Sequence, residues 1–154
     1  MSGSIANGPA VLAGRWGKVG AGERAGAGVV ALGCGSVVAL AAWLDPSGAG
    51  HGTHEQLGLP ACTLAMAIDR PCPTCGMTTA FAHAANGDIA AALVTQPMGA
   101  FLALVTSVVF WGAIHVSVTG SRLGQAGGRI LTSRWMWGVL GLFLGSWAYK
   151  MLTW

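Results

Sequence analysis

The sequence predicts an all-α integral membrane protein, with about three transmembrane helices and short interfacial helices in a cysteine-containing outer loop. Three observations predict it. Of 154 residues, 53% are hydrophobic and only 8% are charged, whereas about 25% of residues are charged in soluble domains. The mean hydropathy is +0.61, and apolar runs long enough to cross a bilayer recur along the chain. Seven tryptophans point the same way, because Trp is enriched at membrane interfaces. So few charges cannot cover a soluble core, so the apolar surface must face lipid. The net charge of +3 comes from scattered residues. No basic patch with interleaved aromatics exists, which excludes nucleic acid and leaves the bilayer as the partner.

Residues 1–24 are rich in Gly, Ala and Ser, carry Arg15, Lys18 and Arg24, and show no apolar periodicity. A segment that buries nothing cannot offset its ordering entropy, so it reads as a flexible basic leader. Residues 25–154 form a single membrane domain. Its first span, 25–44, has no charge and is about 20 residues long, the length that crosses a bilayer. Trp43 and Asp45-Pro46 mark its exit. The rival reading is a signal peptide cleaved after Ala39-Leu40-Ala41, which fits the small-x-small rule.

The outer loop is 45–95. Ser47 to Gly52 is turn chemistry. A short helix is expected from Thr63 to Asp69, ended by Arg70-Pro71. Helical pattern resumes after Cys72, with Pro73 suited to a first turn and Met77 and Phe81 on one face. Asn86-Gly87-Asp88 breaks that helix, and Asp88 caps another through Ile89, Leu93 and Val94. These pieces are too short to span and belong at the interface, partly re-entrant.

Gln96-Pro97 opens the second span, 97–118, where a first-turn proline costs little. A polar connection with Arg122, Arg129 and Arg134 leads to the third span, 135–152. Near its end Lys150 can snorkel toward water, and Trp135, Trp137, Trp147 and Trp154 serve as interface anchors. In this arrangement Arg15, Lys18, Arg24, Arg122, Arg129 and Arg134 share one side, against Arg70 and Lys150 on the other. The positive-inside rule then places the N-terminus in the cytoplasm and the cysteine loop outside, where disulfides are permitted.

Each span carries small residues four apart: Ala31, Gly35 and Ala39; Gly99, Ala103 and Ser107; Gly141 and Gly145, with Gly138 nearby. In lipid such stripes let helix backbones approach closely. They predict a close-packed bundle, within the chain or between copies, as a homo-oligomer or with other membrane subunits.

Cys62, then Arg70-Pro71-Cys72-Pro73-Thr74-Cys75-Gly76-Met77-Thr78-Thr79-Ala80-Phe81, then Asn86-Gly87-Asp88 and Gln96-Pro97 make a pattern. It resembles a bacterial family of small membrane proteins classed as a domain of unknown function, with Cys-Pro-x-Cys-Gly-x-Thr-Arg followed by Gly-Asp and Asn-Pro. The likeness covers roughly residues 45–117. It implies a topology, a cysteine triplet and a bacterial inner (cytoplasmic) membrane, but no activity. The chain departs from the pattern at Thr79, where the family usually has arginine, and at Gln96, where it usually has asparagine. If that arginine binds an anionic partner, this protein lacks or alters the contact.

Cys62, Cys72 and Cys75 are spaced Cys-x9-Cys-x2-Cys. Structural zinc takes four ligands, typically two of them from a Cys-x2-Cys turn, and His54 or His51 is the candidate fourth. His83 would lie about 12 Å beyond Cys75 along a continuous helix, too far for a shared ion; it reads as a packing histidine. A disulfide from Cys62 to Cys72 or Cys75 would close a loop of about a dozen residues and contribute roughly 3 kcal/mol. That pairing leaves one thiol over. Thiol exchange is the third reading, since Cys72 at a helix N-terminus with Cys75 one turn in would have a lowered pKa. No βαβ pattern or cofactor motif accompanies it.

Other residues read as structure. Cys34 behaves as a small hydrophobe, His115 packs or sits at the interface, and an exposed Asp69–Arg70 pair is worth little. Met66, Met77 and Met98 have thioethers that suit Cu(I), but scattered methionine is ordinarily packing. No Ser-His-Asp, paired-carboxylate or phosphate-loop arrangement occurs. The resulting expectation is a non-enzymatic membrane subunit or accessory protein, its outer loop pinned by metal or disulfide. The alternatives are a zinc- or copper-binding membrane protein using Cys62, Cys72, Cys75 and His54, and a membrane thiol-disulfide oxidoreductase using Cys72 and Cys75.

Overall fold

The computed structural model describes residues 19–62, 67, 70–121 and 133–153. Among them every regular element is helical. The α-helices are α1 (Ala21–Trp43), α2 (Met77–Ala85), α3 (Ile89–Thr95), α4 (Pro97–Thr119) and α5 (Ser133–Thr153), and Thr53–Leu57 forms a 3-10 helix. Two of them, α1 and α4, are long and apolar enough to cross a membrane.

The first helix starts ahead of its apolar run, inside the stretch read as leader, because its charged residues have work at the helix ends. The Gly20 N–H donates to Glu23 Oε2 at 3.1 Å. Arg24 donates through Nε and Nη2 to the carbonyls of Ser117 and Val118, each at 2.9 Å. Those carbonyls belong to the last turn of α4, where unpaired oxygens carry the negative end of the helix dipole. Val19 N–H adds a bond to Gly120 O at 2.9 Å. Further along, a Cβ on Gly28 would sit 3.8 Å from Ser117 Oγ, and one on Gly35 only 2.8 Å from the Phe110 ring. The two helices are therefore antiparallel, with Arg24 at the end away from the cysteine loop.

At the other end the chain folds back on itself. Asn86-Gly87 ends α2, and Asp88 Oδ1 accepts from Ala91 N–H at 2.9 Å as the cap of α3. Pro97 opens α4 from its first turn. Ala80, Ala92 and Ala100 form the fully buried core that joins α2, α3 and α4. A Cβ on Gly99 would lie 2.8 Å from that of Ala80 and 3.2 Å from Met77 O. The stripe through Gly99 thus receives a loop helix, while the one through Gly35 receives a long helix.

Two expectations need correction. Helix does not resume at Cys72; it begins at Met77. Gly76, at φ +82°, separates the cysteine turn from the helix, and a Cβ there would lie 2.6 Å from Gly50 O. Nor does Lys150 snorkel to water, since only 7% of it is exposed. Its ammonium instead reaches loop carbonyls, with Gly50 and Gly76 leaving it room. The helix expected over 63–69 lies outside the described residues apart from Ala67, as do residues 1–18 of the leader and most of the 122–134 connection.

The last helix is fastened by residues within a single turn near its C-terminal end. Ser146 Oγ donates to Gln96 Oε1 at 2.7 Å, Trp147 Nε1 to Pro71 O at 3.2 Å and Tyr149 Oη to Val94 O at 2.9 Å. Along the preceding turns, a Cβ on Gly138, Gly141 or Gly145 would meet nothing within 4 Å among the described residues.

Candidate functional site

Cys72 and Cys75 sit in a turn closed by Cys75 N–H donating to Cys72 O at 2.9 Å, followed by Met77 N–H to Thr74 O at 3.1 Å. The turn places Cys72 near enough to Cys75 to influence its thiol. Cys72 is half-buried and also bonds Thr74 Oγ1 at 3.4 Å. Cys75 is buried. Burial, then the neighbouring Cys72, push the Cys75 thiol above its ordinary value; Lys150 pulls the other way, and Cys62 adds a smaller upward push. Cys75 therefore feels both of the other loop thiols.

They face a cavity of about 750 Å³ between the loop and α1. Val37, Leu40, Ala41 and Leu44 form one wall and Met77 and Phe81 another, while Cys62, Cys72 and Cys75 share the lining with His51, His54 and Glu55. His54 Nε2 is 3.3 Å from Pro60 O, and His51 Nδ1 is 2.9 Å from Ala49 O. The four residues expected as ligands, Cys62, Cys72, Cys75 and His54, thus line a single cavity. They do not form a closed shell: among the described residues no three Cys, His, Asp or Glu side chains are gathered tightly enough to hold an ion. His83, half-buried on α2, lies outside this group. Cys34 is half-buried in α1.

A polar frame supports the turn. Gln96 is fully buried; its Nε2 donates to Pro73 O at 3.3 Å, while its Oε1 accepts from Ser146. Ser146 Oγ in turn accepts from Met98 N–H at 3.0 Å. One amide thereby ties the cysteine turn, the start of α4 and the end of α5 together. Thr79, the departure from the arginine of the resembled pattern, is also fully buried, and its hydroxyl bonds that of Thr53 at 2.8 Å. Thr53 Oγ1 also accepts from Ser47 N–H at 3.0 Å. Sequence reasoning missed Thr53, Ser146 and Lys150 as parts of the site's surroundings. They come from segments distant in the chain, and no local pattern links them. Only Gln96 and Thr79 carried a signal, as departures from a pattern.

Residues 62–111 match the sequence model of a family described as a protein of unknown function (DUF2752). The match begins at Cys62 and takes in the cysteine turn, α2, α3 and the first part of α4. No curated protein and no solved structure matches the chain.

Proposed function

We propose that this protein is a non-enzymatic integral membrane accessory subunit of the bacterial inner membrane, whose extracytoplasmic loop is pinned by a thiophilic metal ion. Cys62, Cys72 and Cys75 would hold the ion, with His54 as the candidate fourth ligand. Zinc suits this donor set, and Cu(I) suits its thiolates. The observation that carries the reading is that three thiols line a single cavity, two of them from a closed Cys-x-x-Cys turn. A disulfide between any two leaves the third over, whereas a metal ion uses all three. The ion's contribution is to cross-link the loop; the protein's is to hold the turn.

Three crossings fit this reading. At 1.5 Å per residue, the 21 residues of α5 extend about 31 Å, close to the thickness of the hydrocarbon core. Trp135, Met136 and Trp137 at its start are exposed, as lipid-facing side chains are. Its end meets the cysteine loop, the end opposite Arg24, and the basic residues favour the Arg24 side as cytoplasmic. The unpartnered Gly138, Gly141 and Gly145 face of α5 suits a second copy or another membrane subunit.

The test is metal analysis of detergent-purified protein. About one equivalent of zinc or copper is expected in the wild type, lost in Cys75→Ser. Metal-free wild-type protein sinks the reading. A second reading, thiol exchange, is favoured by the asymmetry between half-buried Cys72 and buried Cys75, as for an attacking and a resolving thiol. In that case Cys75→Ser would accumulate a mixed disulfide through Cys72 instead.

A further inference from the structure

The cavity beside the thiol turn is walled largely by carbon, and part of that wall lies along a membrane-length helix. Val37 and Leu40 belong to α1, ahead of its end at Trp43, and Leu44 follows that end. From Val37 to Leu44 the wall extends about 10 Å at 1.5 Å per residue. Val37 is 47% and Leu40 44% exposed, so the wall is open along the flank of a helix apolar enough to cross a bilayer. Phe81 of α2 lines the same cavity. Ala80 of α2 packs on Gly99, and Phe81 borders a second cavity, of about 110 Å³, with Ala103 and Ser107. Successive residues of α2 thus meet later residues of α4, so α2 descends beside α4 from the thiol turn toward the Arg24 end.

The polar groups come from beyond the end of α1. His54 and Glu55 belong to the 3-10 helix. Histidines aside, Glu55 is the one charged side chain among the described lining residues, and it is exposed. A carboxylate accepts hydrogen bonds and repels an anion. The volume, about 750 Å³, falls within the range of about 300–1,000 Å³ usual for small-molecule sites, in which apolar walls hold the ligand and a few polar groups orient it. We propose that the cavity binds an acyl chain of an amphiphile with an uncharged, hydroxyl-bearing head group. The chain lies against Val37, Leu40 and Phe81, and the head donates to Glu55. The inference rests on α1 crossing a bilayer and needs no metal ion.

The experiment uses the full chain in phosphatidylcholine nanodiscs and a monoacylglycerol with a photoreactive diazirine in its chain. Cross-linked peptides are mapped by mass spectrometry. Label is expected on the segments holding Leu40 and Phe81, and unlabelled monoacylglycerol should displace it. Its phosphate ester, with the same chain and an anionic head, should compete at least about threefold less well, a ratio kept modest by salt screening around exposed Glu55. In Glu55→Gln the two should compete equally. Val37→Trp and Ala61→Trp fill the cavity from α1 and from the loop, and each should cut labelling at least about fivefold, as overpacking does. Leu32→Trp, on α1 but outside the cavity and 74% exposed, should leave it unchanged. Diacylglycerol separates the sources: displacement by it assigns the site to a membrane lipid, and displacement by monoacylglycerol alone to a free amphiphile. Label spread evenly over the exposed faces of α1 and α4, and not displaced, is bulk lipid contact and overturns the inference. Equal competition by the phosphate ester in the wild type overturns it too, as does full labelling in both filled variants. Labelling seen with two chains per disc but not with one places the site between copies and also overturns it. Recovery of the chain outside the membrane fraction removes the membrane reading itself, whereas the other failures leave that reading standing.

Discussion

Buried polar side chains carry the joints of this molecule. Ser146 is the middle of a relay, accepting from Met98 N–H and donating to Gln96. Ser146→Ala removes the partner of both groups. The expected cost is about 1–3 kcal/mol for buried unpaired groups in general, and nearer ~0.6 kcal/mol if the bond behaves as an average interhelical one in lipid. Reversible unfolding in mixed micelles measures it. Thr79→Val removes a hydroxyl without changing shape and leaves Thr53 its bond from Ser47 N–H, so it should cost about 1 kcal/mol. A neutral Thr79→Val, read in the same assay, would mean that the Thr53 bond contributes nothing to holding the loop on α2.

At the scale of elements, the close approaches between helices depend on glycine, and the surroundings of each rank the outcomes. Gly99→Ala would drive a methyl group into Ala80 Cβ and the Met77 backbone, neither of which can rotate away. Overpacking of this kind costs about 1–3 kcal/mol. Gly35→Ala meets the Phe110 ring instead, which can turn, so its penalty should be the smaller. Gly112→Ala, with nothing within 4 Å among the described residues, should be neutral or stabilising by up to about 1 kcal/mol, since alanine is the better helix former. Thermal midpoints of the three variants in one detergent test this order, and an inverted order of Gly99 and Gly112 would contradict the packing. Asp88→Ala should destabilise by about 0.5–2 kcal/mol through loss of the α3 cap.

The whole molecule has a polarity, with Arg24 at one end and the thiol cavity at the other. If the positive-inside rule governs its insertion, a membrane-impermeant thiol reagent added to intact cells should label Cys72 ahead of buried Cys75. Cys34, inside α1, should stay unlabelled until the membrane is dissolved. Labelling of the loop only after the cells are opened would reverse the orientation. Metal content and reagent access can be read on the same preparation, so orientation and site chemistry are separable.

Much of this architecture was legible along the chain. The two membrane-length helices followed from unbroken apolar runs, the α3 cap from Asp88, and the start of α4 from Gln96-Pro97. These are local consequences of side-chain solvation and backbone hydrogen bonding within a few residues. The cysteine spacing also singled out Cys62, Cys72 and Cys75, with His54 beside them, and these residues line one cavity. What only the tertiary structure decided lies between distant segments. Gly76 holds the turn out of the helix because Gly50 occupies the space a side chain would need, and Lys150 turns inward because two loop carbonyls await it. Partners some 50 to 100 positions apart, such as Gln96 with Ser146 and Gly50 with Lys150, leave no periodic trace. Their pairing is set by how the helices pack, since a buried polar group must find a partner wherever the fold places one.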